Sequence, residues 1–243
     1  MVQCMTPPAQ IAPADLDLDQ LNREFETATP QDILRWALQT FPHGLAQTSA
    51  FSIPVTIHML YQELTPKRPV PVIFLDTFHH FPETLATVDR AHERYQLDLH
   101  VYRAIGVSSR ESFATRDGDE LWHRDIDQFH YLTKVEPLQR ALADIEVTAW
   151  VSGRRRDQSA TRQAMPILEL DVDGRLKVNP LANWTRKDLW NYVYQHNVVY
   201  NPLHDQGYTS IGDEPLTTRV QNGESERAGR WRGSAKTECG IHG

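Results

Sequence analysis

A continuous apolar run over residues 70–75, Val-Pro-Val-Ile-Phe-Leu, restricts the fold of this chain more than any other feature. The polar pair Asp76-Thr77 follows it directly. A short apolar run without polar alternation is typical of a strand buried on both faces, as strands of a parallel sheet are. The run therefore predicts a buried parallel strand with a polar carboxyl end.

Helical and extended patterns alternate along the rest of the chain. Helices are predicted over residues 21–40, with a cap at Thr29 and Pro30 at the first helical position, and over 54–64, 82–95, 119–128, 135–143 and 184–196. Strands are predicted over 45–51, 97–102 and 147–152, with a hairpin of 167–172 and 176–178. This alternation predicts an α/β fold with a mostly parallel sheet flanked by helices.

Composition excludes several classes of function. The formal net charge of −7 argues against general nucleic-acid binding, which usually needs a basic face. No stretch approaches the roughly 18 apolar residues of a membrane span, and residues 1–21 lack the pattern of a signal peptide. The two cysteines, Cys4 and Cys239, form no CxxC pair, so a reducing cytoplasm is expected.

Three polar clusters follow predicted strands, at the edge where open parallel sheets bind ligands. The first, residues 48–52, suits a phosphate or sulfate, although an ordinary capped turn explains it as well. The second contains the adjacent histidines His79 and His80. No further ligands are spaced for a metal, so no metal site is predicted and contact with an adenine or ribose is favoured.

The third cluster, residues 153–162, carries four arginines directly after an apolar strand: Arg154, Arg155, Arg156 and Arg162. A solvated charge run is the ordinary explanation for such residues. Here the position at a strand end, preceded by Gly153, favours an anion pocket. Arginine matches the geometry of phosphate and sulfate oxygens and stays charged.

The final segment, Lys-Thr-Glu-Cys-Gly-Ile-His-Gly over residues 236–243, places a cysteine where nothing nearby forms a hydrophobic core. We interpret Cys239 as a mobile nucleophile, although a lone cysteine supports this only with partners elsewhere. Further basic residues precede it: Arg219, Arg227, Arg230, Arg232 and Lys236. They are suited to hold the tail over a polyanion and to lower the pKa of the thiol, whereas Glu238 raises it.

Several sequence blocks, in the same order, resemble the phosphoadenylyl-sulfate (PAPS) and adenylyl-sulfate (APS) reductase family. The resemblance covers roughly residues 30–243. The blocks are Asp76-Thr77, residues 81–84 and 134–137, Gly153 with Arg155, Arg156, Gln158, Ser159 and Arg162, residues 201–203, 207–208, 210–213 and 217–219, and the tail 236–242.

The resemblance implies an adenine nucleotide α-hydrolase-like fold with the nucleotide at the strand ends. It further implies that Cys239 attacks the sulfur of PAPS, that a Cys–S–sulfonate forms, and that thioredoxin or glutaredoxin then releases sulfite. The implied substrate-binding residues are Ser49, Asp76, Thr77, Lys134, Gly153, Arg155, Arg156, Ser159, Arg162, Arg219, Lys236 and His242. A homodimer in the cytoplasm is expected, without nucleic-acid or membrane partners.

On this basis we divide the chain into an N-terminal arm (1–20), a nucleotide-binding α/β domain (21–218) and a mobile C-terminal catalytic tail (219–243).

Related APS reductases bind a [4Fe–4S] cluster through two cysteine pairs. Those places read Phe-His-Tyr-Leu over residues 129–132 and Glu-Pro-Leu-Thr over 214–217, so no such cluster is expected. This absence of cysteines favours the 3′-phosphorylated substrate.

The segment after the first strand departs from the family pattern. Ser52 stands where glycine is expected, which limits close approach of the backbone to a phosphate, and Pro54 stands in place of a glutamine. Ser52 and Pro54 leave open a nucleotide-binding module with impaired catalysis. Two further alternatives stay open, a cluster-free APS reductase and an ATP pyrophosphatase-type ligase. The last normally needs a Ser-Gly-Gly-x-Asp-Ser loop, which this sequence lacks.

Overall fold

The computed structural model describes residues 11–234, 236–238 and 240–241. The strands are β1 (Leu45–Thr48), β2 (Val72–Leu75), β3 (Leu99–Tyr102), β4 (Ala149–Val151), β5 (Leu168–Leu170) and β6 (Leu176–Val178). The α-helices are α1 (Leu18–Phe25), α2 (Pro30–Thr40), α3 (Val55–His58), α4 (Pro82–Tyr95), α5 (Arg110–Asp117), α6 (Leu121–Arg124), α7 (Ile126–His130), α8 (Glu136–Asp144) and α9 (Arg186–His196). Within these ranges, no helix is both long and apolar enough to cross a bilayer.

The six strands form one sheet in the order β3-β2-β1-β4-β6-β5, in which only β5 runs antiparallel to its neighbour. The predicted mostly parallel sheet is thus confirmed. The chain moves outward from β1 through β2 to β3, and then returns to the other side of β1 to form β4. The strand order therefore reverses between β1 and β4, which opens a crevice at their carboxyl ends.

Helices cover both faces of the sheet, as the apolar run of β2 predicts. Val72 and Phe74 pack on one face with Val88 of α4. Ile73, which points the other way along the same strand, packs with Leu138 of α8. Each of these apolar side chains is buried, which contributes about 1.5–3 kcal/mol per side chain relative to exposure.

The predicted helical stretch 21–40 is two helices, because the chain breaks between α1 and α2 at Thr29-Pro30. The predicted cap is confirmed: the Thr29 hydroxyl accepts a hydrogen bond from the Asp32 amide, and Pro30 is the first residue of α2. A residue before proline is disfavoured in helical conformation, so one continuous helix cannot form here.

Two helical segments widen into π-helical turns, an uncommon geometry that is frequent at functional sites. Residues Met59–Leu64 continue α3, and residues Tyr131–Val135 lie between α7 and α8. The second turn carries Lys134, one of the predicted substrate-binding residues. The first turn lies on the segment that leads away from β1 and the crevice.

Candidate active site

A cavity of about 250 Å³ lies at the carboxyl ends of β1, β2 and β4, where the strand order reverses. Four residues predicted to bind substrate line it: Ser49, Lys134, Gly153 and Arg162. Residues from distant parts of the chain complete the wall, including His80, Ile211, Gly212, Arg230 and Ile241 of the tail. The position agrees with the general rule for ligand sites in open α/β sheets.

The loop between β1 and α3 forms one side of the cavity. The Ser49 hydroxyl accepts a hydrogen bond from the Phe51 amide at 3.0 Å, and Phe51 takes the left-handed conformation with φ of 50°. The left-handed residue of this loop is Phe51 and not Ser52, so the effect of Ser52 on backbone approach to a phosphate stays a prediction. The Ser52 hydroxyl instead lies 2.9 Å from Nε2 of His204. Burial lowers the pKa of His204 to about 4, so the imidazole is neutral at pH 7.

The turn after β2 contains two residues that were predicted to bind substrate, Asp76 and Thr77, and both form hydrogen bonds with other protein groups. The Asp76 carboxylate accepts from the Phe78 amide at 3.0 Å and pairs with Arg103 at 2.9 Å. The Thr77 hydroxyl donates to Asp213 at 2.8 Å. The part of this turn that reaches the cavity wall is His80, so substrate contact by Asp76 and Thr77 stays a prediction.

A fully buried acid, Asp213, pairs with Lys134, which lines the cavity. It accepts hydrogen bonds from Thr77 and from the Lys134 ammonium, and Nε2 of His130 lies 3.9 Å away. Burial raises the pKa of the Asp213 carboxyl, but the charges of Lys134 and His80 outweigh burial and hold the pKa below its ordinary value. Burial, assisted by Lys134, lowers the pKa of His130 to about 3. Lys134 is therefore held at the wall by an ionised acid, next to a neutral imidazole.

Each arginine of the predicted anion motif has a carboxylate partner in the structure. The pairs are Arg154 with Glu169, Arg155 with Asp157 and Glu226, Arg156 with Glu26, and Arg162 with Glu238. Arg155 is only 2% exposed and ties the segment around Glu226 to the sheet. Arg156 binds both carboxylate oxygens of Glu26, at 2.7 and 2.9 Å. Of the four, Arg154 and Arg162 line the cavity.

The tail reaches the cavity through residues on both sides of position 239. Arg162 donates two hydrogen bonds to the Glu238 carboxylate, at 2.9 and 2.7 Å, and Arg227 donates a third at 3.1 Å. Burial raises the pKa of Glu238, but the Arg162 hydrogen bonds and charge hold it below its ordinary value. Ile241 lines the cavity and packs with the cluster of Ile73 and Leu138.

The remaining predicted residues lie around this core. Lys236 pairs with Asp127, the Arg219 guanidinium stacks on Tyr208 at 5.6 Å, and the Ser159 hydroxyl lies 2.9 Å from that of Thr161. Cys239 and His242 lie outside the described residues, so their roles stay predictions.

Sequence reasoning missed the acids that hold the basic residues in place. Asp213 was noted only as part of a sequence block, and Glu238 only for its effect on a neighbouring thiol. A signal was present, because a lysine or arginine predicted inside a buried site needs an acidic partner. The sequence does not say which of the 32 acidic residues it is.

Comparisons with known proteins agree with this geometry. Residues 49–219 match the family model described as the phosphoadenosine phosphosulfate reductase domain. A phosphoadenosine phosphosulfate reductase of Emericella nidulans is 46% identical over 229 residues, which cover 93% of this chain and 74% of that protein. An adenosine 5′-phosphosulfate reductase of Streptomyces coelicolor is 42% identical over 229 residues, covering 93% of both chains.

Solved structures support the fold. The crystal structure of a PAPS reductase from Candida auris, a phosphate complex, gives a TM-score of 0.74 at 41% identity and covers 84% of this chain and 96% of that one. An FMN adenylyltransferase of Candida glabrata gives 0.58 at 17% identity, with 94% and 82% covered, and supports the fold alone. The adenine nucleotide α-hydrolase-like fold expected from the sequence is thus confirmed.

Proposed function

Since the chain belongs to the phosphoadenosine phosphosulfate reductase family, and is an oxidoreductase acting on a sulfur group, we propose that it reduces PAPS to sulfite with electrons from thioredoxin. One observation carries this proposal: the tail segment that contains Cys239 is anchored at the strand-end cavity on both sides of that residue. Glu238 is held by Arg162, a cavity residue, and Ile241 lines the cavity itself.

The reaction has three successive displacements. The Cys239 thiolate attacks the sulfur of the sulfate group, an S–S bond forms, and the bond from that sulfur to the phosphate oxygen breaks. The electron pair leaves with adenosine 3′,5′-bisphosphate. One thiolate of reduced thioredoxin then attacks Sγ of the Cys239 sulfonate, sulfite leaves with the bonding pair, and the second thioredoxin thiol displaces Cys239. Thioredoxin is oxidised by two electrons and the sulfur of the substrate is reduced by two.

Cations at the cavity wall support the first step, because negative charge develops on the leaving phosphate. Lys134 is held at the wall by the ionised Asp213. The Arg230 guanidinium lies directly against Gly212, where an added Cβ would be 2.2 Å from one guanidinium nitrogen. Removal of one such preorganised donor typically costs about 10²–10³ in kcat.

The tail also has to open, because the sulfonated cysteine must meet a second protein. Of the five carboxylates that pair with the arginines of the anion motif in the described part of the chain, Glu26, Asp157 and Glu169 belong to the domain, and Glu226 and Glu238 belong to the tail. Of the two tail residues, Glu238 is the one that pairs with a cavity-lining arginine, Arg162. The Glu238 side chain is 31% exposed, so water can replace its contacts with Arg162 when the tail leaves the cavity. We assign Glu238 to seating the tail and Arg162 to holding it.

No iron–sulfur cluster is proposed. At the first of the two places that carry cysteines in cluster-containing relatives, Phe129 packs edge-to-face on Phe113 and His79, and His130 contacts Trp231. At the second, residues Glu214–Leu216 form a short 3₁₀ turn. The thioredoxin partner, the homodimer and the cytoplasmic setting are proposed from the resemblance alone.

Mass spectrometry after incubation with PAPS in the absence of thioredoxin tests this function. We expect a sulfonate adduct on Cys239, and its loss together with sulfite when reduced thioredoxin is added. Cys239→Ser is expected to form no adduct and to release no sulfite. Full sulfite release by that variant would contradict the mechanism. Nucleotide binding without any adduct in the wild type would instead indicate a module with impaired catalysis.

Use of APS instead of PAPS is the second candidate, because the Streptomyces coelicolor relative at 42% identity is an adenosine 5′-phosphosulfate reductase. Comparison of kcat/KM for the two nucleotides, with the same thioredoxin, decides between them. We expect the higher value for PAPS. A higher value for APS would overturn the choice of substrate and leave the Cys239 chemistry in place.

A further inference from the structure

Two histidines and a glutamate converge outside the proposed active site. His58 is the last residue of α3, Glu63 lies in the π-helical turn that follows, and His196 is the last residue of α9. Each offers one ligand atom, and these three atoms all lie within 4.8 Å of one another. Nδ1 of His196 lies 3.6 Å from Oε1 of Glu63.

The π-helical turn brings the first two side chains together. Residues five apart in an α-helix point about 140° away from each other, because each residue turns by about 100°. The wider turn over Met59–Leu64 reduces this angle, so His58 and Glu63 lie on one side of the segment. The end of α9 then supplies His196 from a distant part of the sequence.

Hydrogen bonds orient Glu63 and His58, and ring stacking orients His196. The Tyr192 hydroxyl donates to Glu63 Oε1 at 2.5 Å, and Gln31 donates to Oε2 at 2.9 Å. Nδ1 of His58 lies 3.3 Å from the Tyr95 hydroxyl, which leaves Nε2 of that ring for a further contact. The His196 ring stacks on Tyr192 at 4.2 Å. Such outer contacts fix the orientation of metal ligands in known sites.

The protonation states also suit a cation. Burial lowers the pKa of His58, so this imidazole is neutral at pH 7 and has a free electron pair. Burial raises the pKa of Glu63, but hydrogen bonds from Tyr192 and Gln31 outweigh it, so the carboxyl is ionised. One neighbouring charge opposes a cation: the Arg94 guanidinium is close enough to lower the pKa of His58, and the Glu63 carboxylate offsets it.

We propose that His58, Glu63 and His196 form a binding site for a divalent transition-metal ion of the zinc type. Two imidazoles and one carboxylate are a known zinc ligand set, which leaves the fourth position to water. Ligand atoms of a tetrahedral zinc site lie about 3.3 Å apart, given metal–ligand distances near 2.0–2.2 Å. No pair therefore needs to close by more than roughly 1.5 Å, and the His196 side chain is 33% exposed at the end of α9.

The bound ion would link the end of α9 to the segment formed by α3 and the π-helical turn after it. The proposal does not depend on the reaction or on the identity of the substrate. It differs from the sequence-based expectation of no metal site, because the three residues are adjacent only in the folded chain.

Titration of the metal-free, full-length protein with Zn²⁺ by calorimetry tests the site, with Co²⁺ as an optical and paramagnetic probe. We expect one equivalent to bind at this site. The Co²⁺ form is expected to lack a thiolate-to-metal charge-transfer band, and the ring protons of His58 and His196 are expected to shift in NMR spectra. These readouts need no variant, and the absence of a thiolate band separates this site from binding at Cys4 or Cys239.

Variants then assign the ligands. Glu63→Gln and His196→Gln are expected to weaken Zn²⁺ binding by at least about tenfold while circular dichroism shows an unchanged fold. His92→Gln, which removes an exposed histidine of α4, is the control and is expected to bind like the wild type. Absence of binding by the wild type, unchanged affinity in both ligand variants, or a thiolate band in the Co²⁺ spectrum would overturn the proposal.

Discussion

Two ion pairs from the same arginine motif have nearly the same geometry and connect different parts of the molecule. Arg156 binds both oxygens of Glu26 at 2.7 and 2.9 Å, and Arg162 binds both oxygens of Glu238 at the same two distances. Glu26 follows α1 and joins the first helix to the domain. Glu238 directly precedes Cys239 and joins the tail to the cavity.

Two ion pairs with the same bond distances need not have the same effect on activity. In both pairs the glutamate has a pKa below its ordinary value: at Glu26 the Arg156 hydrogen bond is the main cause, and at Glu238 the Arg162 contacts outweigh burial. The Arg156–Glu26 pair is the more exposed of the two, with side chains 25% and 46% exposed against 10% and 31% for the Arg162–Glu238 pair. The pairs differ in the segment that each glutamate belongs to: Glu26 follows α1, and Glu238 directly precedes Cys239. Removal of the two pairs is therefore expected to affect activity differently.

The largest contrast is expected when one partner of each pair is removed. Arg162→Gln releases the tail from the cavity and takes away a charge beside it, so kcat for sulfite release should fall about a hundredfold. Glu26→Ala breaks the other pair and should leave kcat within about twofold, because neither Glu26 nor Arg156 lines the cavity. Steady-state sulfite assays with PAPS and thioredoxin measure both. An equal decrease in kcat in the two variants would contradict the expected difference between the two ion pairs.

A smaller contrast is expected when the glutamates lose only their charge. Glu238→Gln keeps the shape of the side chain and weakens a charge-assisted contact, so kcat should fall about tenfold with little change in KM. Glu26→Gln is the matched control and should leave both constants unchanged. The double variant Arg162→Gln/Glu238→Gln should be no slower than Arg162→Gln, since both act on one contact. A lower KM in Glu238→Gln would show instead that Glu238 competes with the substrate for Arg162.

The smallest expected effect is on stability. Here the Glu26 variant, and not the Glu238 variant, is expected to show the larger change. Glu26→Gln should lower the free energy of unfolding by no more than about 1 kcal/mol, and Glu238→Gln by less, because a tail that opens locally contributes little to global unfolding. The folded-state pKa of Glu26 lies below 4.5, so its contribution is complete above that pH and is lost as the pH falls through the folded-state value.

Urea unfolding of the wild type and the two glutamine variants, from pH 7 down to about pH 3, measures this effect. The difference in the free energy of unfolding between the wild type and Glu26→Gln should be constant near neutral pH and should fall towards zero near pH 3. A gap that widens as the pH falls would contradict the assignment of the Glu26 pair.

Much of the site was predictable because local patterns specify it. The apolar run of β2 and the arginine block after β4 identified two of the strand ends that form the cavity, and Gly153 and Arg162 do line it. Lys134 also lines it, but the family resemblance, and not a local pattern, implied that residue. The arginine block did not reveal which guanidinium faces the cavity. Arg155 and Arg162 are of one residue type within the same segment, yet Arg155 binds Asp157 and Glu226, and Arg162 binds Glu238.

The sequence by itself determined the α/β class, the parallel sheet and the composition of the strand ends, because the periodicity of apolar residues reflects which faces are buried. The tertiary structure decided which side chains meet. Lys134 and Asp213 are 79 positions apart, and Arg162 and Glu238 are 76 positions apart. His196 approaches Glu63 only because α9 packs beside α3. Such partners depend on how crossover connections return the chain to the sheet, and no local pattern records that path.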